Sequence, residues 1–166
     1  MARNFRVFIT NLGKYNEGEL VGKWLDLPCD DIESELASIG VADDSQYEEY
    51  FITDFVNDWG YVLGEHENLW ELNELAEQLA DVDDEGDGDW LAAYLEAERC
   101  SLKYALDNYR DSTFYPEKDL EDVARDIVEE CYDLPEIAQR YFNYEAFAAD
   151  LGFDGYTETS YGVISL

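Results

Sequence analysis

Apolar residues recur along this chain with two periods, and the switches between them predict its elements. Phe5–Asn11 (FRVFITN) has the β-branched and aromatic content of a strand. Residues 15–22 (YNEGELVG) are punctuated by glycine and should turn the chain. Residues 24–27 read as extended and stop at Pro28. In the following DDIESELASIG, Asp30 with Glu33 makes a capping-box pattern, Ile32, Leu36 and Ile39 share one helical face, and Gly40 ends the helix. Residues 50–55 (YFITDF) predict another strand. The first ~60 residues therefore read as a small α+β unit.

Residues 68–80 (NLWELNELAEQLA) predict a helix whose apolar stripe is Leu69, Leu72, Leu75, Ala76 and Leu79. Glu67, Glu71 and Glu74 recur at i, i+4 and i+7, with Glu77 three further on, away from that stripe. Each like-charged neighbour pair costs a few tenths of a kcal/mol, whereas burying each Leu contributes roughly 1.5–3 kcal/mol. The helix therefore folds despite its acidic row. Residues 81–90 (DVDDEGDGDW) are expected to form a loop. A second helix is predicted over 90–100 and continues into 101–108. A short strand is expected at 113–115, with Pro116 opening a helix over 117–131. There Leu120, Val123, Ala124, Ile127, Val128 and Cys131 give the clearest helical period in the chain. A helix over 144–151 and a strand or hairpin over 156–165 complete the chain. The expected fold class is α+β, an elongated chain of three small modules with antiparallel sheets. Their boundaries are 1–61 (α+β), 62–104 (acidic, helical) and 105–166 (α+β).

Charge changes this picture more than any motif. The 166 residues carry a net charge of −31, with ten basic and 41 acidic side chains. Self-repulsion on that scale opposes compaction, repels nucleic acid and anionic membrane, and attracts basic surfaces at long range. The charge is also uneven. From Trp24 to Glu98 there is no Lys or Arg at all, whereas folded surfaces ordinarily intersperse both signs. Adaptation to high salt would act over the whole surface, yet all ten basic residues lie in the two terminal regions.

The chemical readings can be tested by position. An EF-hand loop started at Asp81 places Gly86 at position 6 but Ala92 at 12, and one started at Asp83 places Tyr94 at 12. Neither supplies the closing Glu. His66 is the only His, and no nucleotide-binding or nucleophile-elbow motif is present. With 41 carboxylates, no acid–base pair stands out. Neither an enzyme nor a metal or cofactor site is expected. Cys29, Cys100 and Cys131 are an odd number without CxxC spacing and are read as buried thiols. The N-terminal segment lacks the apolar stretch of a signal peptide, and no apolar run approaches the ~18–20 residues of a membrane span. A reduced, cytoplasmic, soluble protein is the expectation.

B-DNA carries one negative charge per ~1.7 Å of axis, so 41 carboxylates match ~70 Å of duplex, about 20 base pairs. A compact chain of this length has a radius of gyration of only ~15 Å. DNA-like density therefore requires tandem modules. The expected binding surface is distributed: Glu65, Glu67, Glu71, Glu74, Glu77, Asp81, Asp83, Asp84, Glu85, Asp87, Asp89, Glu96 and Glu98 at its centre. Asp107, Asp111, Glu117, Asp119, Glu121, Asp122, Asp126, Glu129 and Glu130 extend it. Its partner would be a protein with a Lys/Arg-lined DNA channel. A general acidic binder or chaperone for basic proteins is the alternative.

Three stretches resemble one family. YNEGELVGKWLDLP (15–28) is similar to the opening hallmark of the ArdA antirestriction proteins, with Tyr15, Asn16, Gly18, Leu20, Gly22 and Trp24 at the matching positions. EYFITDF (49–55) and NYEAFAADLGFDGY (143–156), followed by YGVISL, resemble its later blocks; Ala149 stands where many relatives carry a basic residue. The chain looks like the conjugative-transposon type. The resemblance implies a DNA mimic, carried on mobile elements, that occupies the DNA cleft of type I restriction-modification enzymes. It also implies an elongated three-domain homodimer with no catalytic residues; two copies carry charge for about 40 base pairs. The hallmark residues are read as scaffold, Gly for turns and Trp and Leu for the core. The C-terminal module is the expected dimer contact.

Overall fold

The strand that opens the chain becomes the centre of a sheet. In this computed structural model, which describes residues 2–166, β1 (Phe5–Asn11) lies between β2 (Gly22–Asp26) and β3 (Tyr50–Asn57) and is antiparallel to both. Alternation buries Phe5, Val7 and Ile9 and leaves Arg6 and Phe8 half-buried. Gly22 faces Thr10 across the β1–β2 pair, where a Cβ would meet the Ile9 carbonyl oxygen at 2.6 Å. Only glycine fits that approach. Between these strands a short helix, α1 (Leu12–Asn16), capped by the Asn11 side chain, takes the first two residues of the turn predicted over 15–22. The helix α2 (Ile32–Ser38) begins one residue later than the sequence predicts: the Asp31 carboxylate, not that of Asp30, accepts from the Ser34 N–H. Gly40, at φ 80°, ends it as expected.

The helix α3 (Leu69–Glu85) runs through half of the expected 81–90 loop. Val82 stands three residues after Leu79 and extends the buried stripe by a turn, which holds Asp81–Glu85 in the helix. Gly86 then stops it in the left-handed conformation, its N–H donating to the Asp83 carbonyl. Leu69, Leu72 and Ala76 share one core with Phe5, Val7, Ile9, Ile32, Leu36 and Ile52.

The second half is built on β4 (Thr113–Pro116), β5 (Tyr156–Thr159) and β6 (Gly162–Ser165), antiparallel in the order β4-β6-β5. The helix α4 (Gly88–Glu98) packs on all three strands through a run buried from Leu91 to Leu95. It does not continue into 101–108. Arg99 takes a left-handed conformation, and α5 (Leu102–Asn108) restarts at the Ser101 cap. Pro116 ends β4 instead of opening a helix, and α6 (Leu120–Cys131) starts at a capping box of Asp119 and Asp122. The helix α7 (Glu136–Tyr141) had no strong period and buries none of its residues. The last helix, α8 (Tyr144–Phe153), packs on α6 around Val123, Ala124, Ala148, Leu151 and Val163.

The fold is thus mixed α+β with two small antiparallel sheets. The chain divides into two compact units, one ending at Gly86 and one spanning Asp87–Leu166. The reason is the destination of the two acidic helices: α3 completes the core of the first sheet and α4 that of the second. The run DVDDEGDGDW straddles that division, closing one helix and opening the next. Among the described residues no helix is long and apolar enough to cross a membrane.

Candidate functional site

The carboxylates of both units lie outside their cores. None is buried; Glu35, Glu67, Asp83, Asp87, Glu121 and Asp126 are half-buried, and the others are exposed. The first unit holds four basic and 22 acidic residues, net −18; the second holds six and 19, net −13. The four cations of the first unit are already engaged. Arg3 pairs with Asp83, Arg6 with Asp26, Lys14 with Glu19 and Lys23 with Glu35.

The helix α3 concentrates the excess. At 3.6 residues per turn, Glu71, Glu74, Glu77, Asp81, Asp84 and Glu85 share an arc of about 140°. All six are exposed. They climb ~21 Å of helix axis in five steps averaging ~4.2 Å, somewhat wider than the ~3.4 Å between phosphates along one DNA strand. Three of them fall in the last turns, where the helix macrodipole is negative and no basic residue compensates. Each such placement costs roughly 0.3–1 kcal/mol at an exposed site. The fold tolerates this row at that cost.

Asp83 is different. The helical period turns it towards the core side, where its side chain is 14% exposed. Its two oxygens accept from the Arg3 backbone N–H and the Arg3 guanidinium, both at 2.9 Å. Arg3 in turn lies over the Trp59 ring at 4.8 Å. Asp83 therefore fastens the start of the chain to the end of α3 and is not part of the exposed arc. Glu65 is exposed ahead of the helix, and Glu67 is half-buried with its carboxylate on the Gly64 N–H.

In the second unit, several candidate acids serve the fold. Asp87 accepts from the Arg110 guanidinium at 3.0 Å and the Tyr109 hydroxyl at 3.2 Å. Glu96 accepts from the Ser160 N–H with both oxygens at 3.1 Å. Asp119 and Asp122 cap α6. Asp126 binds Lys118 and Glu121 binds Arg125, and these hydrogen bonds raise the pKa of both cations. Asp89, Glu98, Asp107, Asp111, Glu117, Glu129 and Glu130 are exposed. Tyr94, in the buried run of α4, has its pKa pushed up to about 12, chiefly by burial.

The hallmark positions divide by residue type. Gly18, at φ 87°, carries the turn expected of it, whereas Gly22 lies in β2 and serves a close backbone approach instead of a turn. Tyr15, Asn16 and Leu20 are exposed, Leu20 at 73%, and Trp24 lies edge-on to Phe8 under the Arg6 guanidinium. The core role read for Trp24 and Leu20 is therefore corrected: both lie outside the buried cluster of this unit. The buried-thiol reading also fails at Cys131, which is exposed; Cys29 and Cys100 are half-buried, and burial raises the pKa of both. Among the described residues no group of three or more His, Cys, Asp and Glu is arranged to hold a metal ion. The sequence did not reveal a groove in the first unit, beside Trp70 and lined also by Leu36, Val41 and Glu33.

A search of curated proteins finds no match to the chain. A protein-family model described as "Antirestriction protein (ArdA)" matches residues 7–165.

Proposed function

Since the chain belongs to the ArdA antirestriction family, whose function implies interaction with restriction enzymes, we propose that it acts as a DNA mimic, filling the DNA-binding cleft of type I restriction-modification enzymes. The observation that carries this reading is the α3 arc: six exposed carboxylates on one side of a helix, at a mean axial spacing within about 1 Å of that along a phosphate strand. Helical geometry fixes the spacing of their backbone positions before any partner arrives, so binding orders side chains and not the backbone. The exposed acids of the second unit add to the negative charge offered to such a partner. The family resemblance and the absence of a catalytic motif in the sequence favour inhibition by occupancy alone, without a cofactor, in the host cytoplasm.

A homodimer on the less charged second unit is part of the proposal. Exposed Ile137, Tyr141 and Phe153, at 69%, 79% and 87%, supply apolar surface for it. Placement on a conjugative element follows from the resemblance of the chain to that type. Occupancy of the cleft blocks methylation along with cleavage wherever both activities use it.

The test is to replace Glu71, Glu74, Glu77 and Glu85 by Gln and Asp81 and Asp84 by Asn together, then titrate inhibition of a type I enzyme. The account expects a large loss of inhibition at moderate salt with the fold retained. Unchanged inhibition would remove its main support. Each single replacement should do little, because many weak contacts share the load.

A further inference from the structure

The groove beside Trp70 has a volume of about 510 Å³, within the range of small-molecule sites. Leu36, Val41 and Trp70 form part of its apolar lining, and the carboxylates of Glu33, Asp43 and Glu48 stand at it. All three acids are exposed. Trp70 itself is 44% exposed. Its ring is backed by Tyr50, with centroids 6.3 Å apart, and Tyr50 is fixed by the Leu69 N–H donating to its hydroxyl at 2.9 Å. The indole is thus held in place while one side stays open.

The other two tryptophans of this unit carry an arginine from the chain itself. Arg6 lies over Trp24 at 5.4 Å and Arg3 over Trp59 at 4.8 Å. Trp70 has no such cation among the described residues. The cations of the unit are held by Asp83, Asp26, Glu19 and Glu35. Trp70 also heads the acidic row, since Trp70, Glu74, Glu77, Asp81 and Asp84 follow at i, i+4, i+7, i+11 and i+14.

Resting on the mimic reading, we propose that this groove receives one arginine side chain from the DNA-binding face of the target enzyme. The guanidinium lies over the Trp70 ring within reach of the three carboxylates, and its aliphatic stem runs along Leu36 and Val41. Rim acids steer and hold the charge, the indole supplies a cation–π contact, and the apolar lining takes the methylenes. Trp is among the residue types that most often dominate an interface. The groove therefore gives a distributed electrostatic surface one point of fixed register, next to a row that by itself would slide.

Two measurements test this. The first titrates the isotope-labelled intact chain with N-acetyl-arginine amide and with N-acetyl-citrulline amide, its neutral isostere, following the tryptophan indole N–H signals by NMR. The Trp70 signal, assigned with Trp70→Phe, should move with the arginine probe alone, while those of Trp24, Trp59 and Trp90 stay in place. Equal movement with citrulline, or no movement at Trp70, overturns the proposal. The second measures affinity for a type I methyltransferase core. Trp70→Leu, and separately Glu33→Gln with Asp43→Asn and Glu48→Gln, should each weaken binding about tenfold or more. If the six-acid α3 variant loses binding while both groove variants keep it, the groove proposal fails and the mimic stands. If none of the three loses binding, both fail.

Discussion

Asp83 and Asp84 are adjacent acids in the last turns of one helix, and their removal should have opposite effects. Asp83→Asn breaks a pair whose side chains are 14% and 17% exposed and which includes two hydrogen bonds of 2.9 Å to Arg3. Hydrogen bonds to charged groups contribute about 1.5–3 kcal/mol, and two that share one carboxylate do not add fully. We take ~2–3 kcal/mol for the pair. Removing a negative charge from a helix C-terminus returns roughly 0.3–1 kcal/mol. The net loss is about 1–2.7 kcal/mol, a fall in Tm of roughly 2–11 °C for a chain of this size. Asp84→Asn removes an exposed charge from the same helix end and loses no internal bond. It should leave Tm unchanged or raise it by about 1–4 °C. Thermal unfolding of both variants in low salt decides the matter. If Asp84→Asn lowers Tm as much as Asp83→Asn, or Asp83→Asn has no effect, the inward assignment of Asp83 is wrong. Inhibition by folded Asp83→Asn should match the parent.

Four further outcomes follow from the same structure. Added salt should raise Tm, because screening weakens repulsion within a chain of net charge −31; a flat response would mean the charges are spaced widely enough not to interact. Gly22→Ala should cost at least ~1–3 kcal/mol, since its Cβ would meet the Ile9 carbonyl at 2.6 Å, and calorimetry would show it. Asp119→Ala, which removes the α6 cap, should lower stability by about 1 kcal/mol in a denaturant titration. Burial raises the folded pKa of Tyr94 from 10.0 to about 12, so its stabilising contribution is complete below ~pH 10 and is lost as pH rises towards 12; a Tyr94→Phe chain should lose that dependence in alkaline unfolding.

Much of the fold was legible because it rests on periods. The strand alternation of Phe5, Val7 and Ile9 and the stripe from Leu120 to Val128 appear in the sequence as they do in the cores. The 81–90 run was misread because six carboxylates there outweighed one apolar residue. Val82 continues the stripe of Leu72, Ala76 and Leu79, and Gly86 marks a left-handed stop. Carrying the helical period four residues past Leu79 would also have turned Asp83 inward. The division into two units was not legible, since an amphipathic stripe says that a face is buried but not against which sheet. Trp24 misled for a related reason. An aromatic in a strand reads as core, yet the pleat put it on the face opposite Leu25, where Arg6 covers it. The Trp70 groove depends on α2, β3 and α3 meeting, and no local pattern announces that.

The central claim is that carboxylates take the place of phosphates in one cleft. Its most direct measurement is an anisotropy titration of a fluorescent DNA duplex already bound to a type I methyltransferase core, with this protein as titrant, repeated at several salt concentrations. The account predicts full release of the duplex at saturation and an apparent affinity that declines as salt is raised. A stable complex holding enzyme, duplex and this protein together would contradict it.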